Sequence, residues 1–94
     1  MSKTHDKIEK ACIDAKLKFE EIGDLKYSDI RSKLEFVLGS YAFDRNPVGL
    51  YEIGTQALFL LQKHHETNAK QVPKKLITDL EKALASQHSL NYQK

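Results

Sequence analysis

The sequence predicts an all-α protein, a short antiparallel four-helix bundle with up-down-up-down connectivity. Three observations predict it. Leucine outnumbers valine twelve to three, Ala, Lys and Glu are common, and no stretch alternates apolar and polar residues for long, so strands have little support. Apolar residues instead recur every three or four positions in four successive segments. The breaks between them, around residues 23–27, 42–46 and 68–72, are each about five residues, a length that sets consecutive helices side by side and antiparallel.

In the first segment Ile8, Cys12, Ala15, Phe19 and Ile22 line one side of a helix as in a heptad seam. Asp6 with Glu9 makes a capping-box-like start, and Gly23 is placed to end the helix in a left-handed conformation. The second segment opens near Ser28 as N-cap, repeats the spacing with Ile30, Leu34, Val37 and Tyr41, and is expected to fade around Gly39 to Ala42. The third begins with Asn46 as N-cap and Pro47 at the first helical position, where its missing N–H costs nothing. From Leu50 to Leu61 it leaves little polar surface, which predicts the most buried helix, ending near Thr67 and Asn68. Pro73 opens the fourth, whose Leu76, Ile77, Leu80, Ala83 and Leu84 form one wide stripe. Residues 1–94 read as one domain, with frayed ends expected at 1–4 and 87–94.

With 40% hydrophobic and 30% charged residues, the chain has apolar material to collapse and charge to stay in solution. Its net charge of +2 comes from interspersed Lys, Arg, Asp and Glu, which is not the electrostatic footprint of a nucleic-acid-binding protein. Lys26, Lys63, Lys70, Lys74 and Lys75 make at most a modest basic patch, with no reading element beside it. The second and third segments resemble a helix-turn-helix only superficially, since the would-be recognition helix is the most apolar in the chain. No apolar run approaches the roughly 20 residues of a membrane span. Residues Met1 to Lys7 also lack the apolar segment of a secretory signal, so a cytoplasmic protein is expected. A single cysteine excludes an intrachain disulfide and a Cys-pair zinc site, so packing alone holds the fold.

Catalytic signatures are missing: there is no nucleophile elbow, P-loop or dinucleotide fingerprint, and Cys12 lies on an apolar seam where a thiol packs as small filler. A non-enzyme without cofactor or metal is therefore expected. His64 and His65, near Glu66 and the acidic Glu20, Glu21 and Asp24, invite a metal reading, but adjacent helical positions point about 100° apart and cannot easily share one ion. Two constellations stand out. At the start of the third helix the N–H groups of Val48, Gly49 and Leu50, with Arg45 and the cap Asn46, could hold an anion; the plainer account makes Asn46 and Pro47 a cap and Gly49 a point of helix approach. The second is a set of apolar side chains off the seams: Ile13 and Leu17 on the outer side of the first helix, Phe36 on the second and Phe59 on the third. A bundle that exposes two phenylalanines is expected to cover them. The sequence thus points to a helical interaction module that associates with itself as a homodimer, or with another protein, through an apolar helix face; a regulatory domain binding a small anion at Arg45 to Leu50 is the alternative.

Overall fold

The computed structural model describes residues 6–92, and the side chains of residues 7–85. Four helices follow one another: α1 (Asp6–Ile22), α2 (Ser28–Asp44), α3 (Val48–Thr67) and α4 (Lys74–Tyr92), with a single 3-10 turn, Leu25–Tyr27, ahead of α2. The fold is an all-α four-helix bundle, and residue pairing gives its directions. At one end Ile8 and Cys12, early in α1, pack on Gly54, early in α3, together with Leu84, late in α4; Val37, late in α2, lies against Gly49 at the start of α3. At the other end Phe19, late in α1, packs against Tyr27, just ahead of α2, with ring centroids 4.7 Å apart and the rings tilted by 47°, and Tyr27 bonds His64 late in α3. Helices α1 and α3 thus run one way and α2 and α4 the other, the up-down-up-down order that short connections favour.

Each helix packs on its sequence neighbours, α4 closes the ring on α1, and α1 and α3 also touch across one diagonal. That diagonal contact squeezes the bundle so that α2 and α4 lie on opposite sides of the α1–α3 pair. It is made possible by small residues at the crossing: Gly54 and Ala57 on α3, Cys12 and Ala15 on α1, all buried. Around them Ile8, Phe19, Leu34, Leu50, Leu61, Val72 and Leu80 are fully buried. Among the described residues no helix is long and apolar enough to cross a membrane.

The helix ends follow local chemistry. Gly23 takes φ 73°, and its N–H donates to the Phe19 carbonyl at 3.1 Å, ending α1 as its lack of a Cβ allows. Asp24 then accepts the Lys26 N–H at 3.0 Å and starts the 3-10 turn, so the expected break at 23–27 is more ordered than a loop. The capping side chain expected of Asp6 lies outside the described side chains.

Several boundaries differ from the sequence reading, beginning with Ser28, which is the first residue of α2 and not its cap: Tyr27 holds the N-cap position, with no side-chain capping bond. Helix α2 does not fade at Gly39 to Ala42 but continues to Asp44, because Val37, Leu38 and Tyr41 pack into the core and carry the helix past its glycine. It stops at Arg45, in the left-handed region at φ 60°, whose N–H donates to the Tyr41 carbonyl at 2.7 Å. Helix α3 starts one residue later than expected: the Pro47 carbonyl accepts the first helical bond, from Tyr51 N–H at 3.1 Å, while Asn46 Oδ1 still caps by accepting Val48 N–H at 3.1 Å. Helix α4 runs to Tyr92, beyond Ser86 where the apolar pattern thins. Of the frayed ends expected, 1–4 and 93–94 lie outside the described residues.

Candidate functional site

The four off-seam side chains singled out by spacing all reach solvent: Ile13, Leu17, Phe36 and Phe59 are 40, 53, 75 and 58% exposed. They do not form one surface. Cys12 and Ala15 turn toward α3, so Ile13 and Leu17, one turn apart, stand on the far side of α1. On α3 the buried residues Leu50, Gly54, Ala57 and Leu61 turn toward the core, which sends Phe59 out on the opposite side. Because α1 and α3 are in contact, Ile13 and Leu17 point away from Phe59 across the whole molecule. Leu17 belongs instead to a groove of about 320 Å³ between α1 and α4, shared with Pro73 and Leu76 and rimmed by Asp14, Lys18, Glu21, Lys75 and Asp79.

Phe36 and Phe59 lie on adjacent antiparallel helices, and each has its own setting. The Lys63 ammonium sits 5.1 Å from the Phe59 ring centroid and partly covers it. Among the described residues no cation covers Phe36 in this way. One heptad further along the same side of α2 stands Phe43, 92% exposed, which the sequence reading missed. The signal was present in the seven-residue spacing, but it counts only once α2 is known to continue through residue 43. From Phe36 to Phe43 the chain reads Phe-Val-Leu-Gly-Ser-Tyr-Ala-Phe, with no charged residue. Val37 and Leu38 are half-buried and Tyr41 is buried; of the exposed residues Phe36, Gly39, Ser40, Ala42 and Phe43, all but Ala42 share one side of the helix and form the outward strip.

Some groups of the anion reading have partners within the chain. Asn46 Oδ1 takes the Val48 N–H, Asp44 Oδ1 takes the Asn46 N–H at 2.9 Å, and the Arg45 guanidinium lies 5.3 Å from the Tyr41 ring centroid. Leu50 is fully buried, and a Cβ on Gly49 would come within 3.0 Å of Val37, so the glycine serves the approach of α2.

At the opposite end the histidines act as fasteners. The Gln71 side-chain carbonyl oxygen lies 2.7 Å from His64 Nε2, so the ring carries its hydrogen there and Nδ1 accepts the Tyr27 O–H at 2.8 Å. His65 Nδ1–H donates to the Val72 carbonyl at 2.6 Å. Both rings thereby hold the 68–73 connection against the end of α3, and both His64 nitrogens are committed. Beside them Lys26, Tyr27, Leu60, Lys63 and Glu66 border a recess of about 460 Å³. Burial, with Asp24 nearby, pushes the Tyr27 phenol above its ordinary range. Among the described residues no three His, Cys, Asp or Glu side chains are grouped to hold a metal ion.

Compared with known proteins, the chain matches no family model, no curated protein and no solved structure.

Proposed function

We propose that this chain is a non-enzymatic helical interaction module that self-associates through an apolar helix face on the outer side of α2, with Phe59 of α3 beside it. The carrying observation is Phe36, three-quarters exposed at the middle of a helix whose Ile30, Leu34 and Tyr41 are buried, with Phe43 exposed one heptad further on. An exposed phenylalanine leaves on the order of 150 Å² or more of apolar surface in water, and covering it is favourable by about 25 cal/mol per Å². Several charges on the helix exteriors are paired locally, as in Lys10–Asp14, Lys16–Glu20, Lys33–Asp29 and Lys75–Asp79, at 2.7 to 3.3 Å. Such exposed pairs contribute little energy and serve mainly to keep those surfaces wet.

Light scattering behind a sizing column, at two loading concentrations and near-physiological salt, tests this reading. The expected mass approaches twice 10.8 kDa as concentration rises. Phe36→Glu should return it to the monomer with helicity unchanged. A monomer at both concentrations overturns the proposal.

A further inference from the structure

The self-association reading can be taken to a specific geometry, and the inference rests on it. We propose that the occupant of the α2 face is a second copy of the chain, lying antiparallel along α2 about a two-fold axis between Gly39 and Ser40, so that Phe36 of each copy packs on the partner's Phe43.

Position supplies the first argument. A two-fold contact requires a surface complementary to itself, so that whatever one copy offers above the axis it must receive below it. The two aromatic rings stand seven residues apart on one side of α2, and their midpoint falls between residues 39 and 40. Rotation about that midpoint exchanges Phe36 with Phe43. The small residues needed where two helices cross occupy the midpoint itself.

Gly39 supplies the second argument. A glycine inside a helix costs stability relative to alanine, and its missing side chain allows a close approach of something else. At Gly49 and Gly54 the structure shows what approaches: Val37 in one case, Cys12, Ile8 and Leu84 in the other. At Gly39 a Cβ would meet nothing within 4 Å, so no contact among the described residues accounts for it. A second helix axis laid over residue 39 does.

Charge and area agree. From residue 36 to residue 43 no charged side chain would be desolvated. The exposed parts of four phenylalanines across the two-fold amount to about 650 Å², the size of a weak, transient contact. That predicts a reversible dimer, not an obligate one.

Cysteine cross-linking reads the geometry directly, because native Cys12 is fully buried and leaves an introduced thiol as the reactive one. In the antiparallel pair Ser40→Cys lies beside its own copy, whereas Ser32→Cys is separated from its copy by about 22 Å at 1.5 Å per residue. Under mild oxidation Ser40→Cys should form the disulfide-linked dimer about tenfold faster or more than Ser32→Cys. Equal rates, as a parallel pair would give, overturn the proposal. A second variant guards against misfolding: Gly39→Gln puts a good helix former into open space, so it should keep or raise helicity while weakening the dimer about a hundredfold, since symmetry places the obstruction twice. If sedimentation velocity shows the unmodified chain to be a dimer that Gly39→Gln and Phe43→Glu leave intact, the α2 pairing falls while self-association through another face stands. A chain that sediments as a monomer at every concentration removes both. Monomers that bind only a helix of a different protein would likewise overturn the second copy as occupant.

Discussion

A single thiol at the centre of the bundle makes the protein sensitive to alkali. Cys12 is fully buried between α1 and α3, its S–H directed at the Leu50 carbonyl 3.5 Å away, and burial raises its pKa from the ordinary 9.0 to about 12. The native state therefore keeps its proton where the unfolded chain has lost it. Stability is fully present below pH 9 and falls as pH rises from 9 to about 12, by on the order of 1 kcal/mol per pH unit. Denaturant titrations of the native chain and of Cys12→Ala across this range should diverge, the variant showing the shallower loss; parallel curves would place the thiol outside the core. The same burial predicts that an aromatic disulfide reagent labels Cys12 only at the rate of unfolding. Leucines of α3 can be ranked on the same ground. Leu61 is fully buried and Leu58 only partly so. Truncation of Leu61 to Ala should thus cost about 2 to 5 kcal/mol and that of Leu58 distinctly less, by chemical denaturation. From the sequence the two looked equivalent, because both fall in an unbroken apolar run where period alone does not say which side turns inward.

At the scale of elements, the glycines of α2 and α3 separate what a helix prefers from what its neighbours demand. Gly39 is surrounded by open space, so Gly39→Ala gains helix propensity and meets no obstacle. It should stabilise the monomer by about 0.5 to 1 kcal/mol, which for a domain this size is a rise of several degrees in Tm. Gly49→Ala gains less propensity at the first turn of α3, and its Cβ would stand 3.0 Å from Val37 Cγ1, so half-buried Val37 must give way. A lower Tm is expected there. Thermal unfolding at low protein concentration checks the pair, and an equal rise in both would mean that α2 and α3 pack more loosely than the geometry shows. This contrast also explains what the sequence left illegible. Reading α2 as fading around Gly39 to Ala42 followed from intrinsic propensity, which tertiary packing of Leu34, Val37, Leu38 and Tyr41 overrides, and with the helix ended early Phe43 lost its place on the outer strip. The clasp of His64 and His65 on Gln71 and Val72 was equally hidden, since it depends on how the 68–73 connection folds back.

For the whole molecule, legibility divides along the same line between local and non-local information. Four helices, their order and their antiparallel course were legible because a three-to-four residue period and five-residue breaks are local signals. Ile13, Leu17, Phe36 and Phe59 were legible as off-seam residues for the same reason. What spacing could not reveal is that α1 and α3 touch across the bundle, which places Ile13 and Leu17 on one exterior and Phe59 on the opposite one. One flat interface containing all four is therefore impossible, and association has to choose among separate faces. If it uses the α2 face, folding and dimerisation are linked by mass action. Stability must then grow with protein concentration, because the dimer binds the native chain and not the unfolded one. Calorimetric Tm should rise by several degrees over a hundredfold increase in concentration above the dissociation constant, while Phe36→Glu should show a Tm independent of concentration. Since the strip carries no charge, added sodium chloride should leave the dependence nearly unchanged, and sulfate should strengthen it by favouring apolar burial. A dependence that sodium chloride abolishes would instead assign the contact to ion-paired helix exteriors, and the exposed phenylalanines of α2 would not carry it.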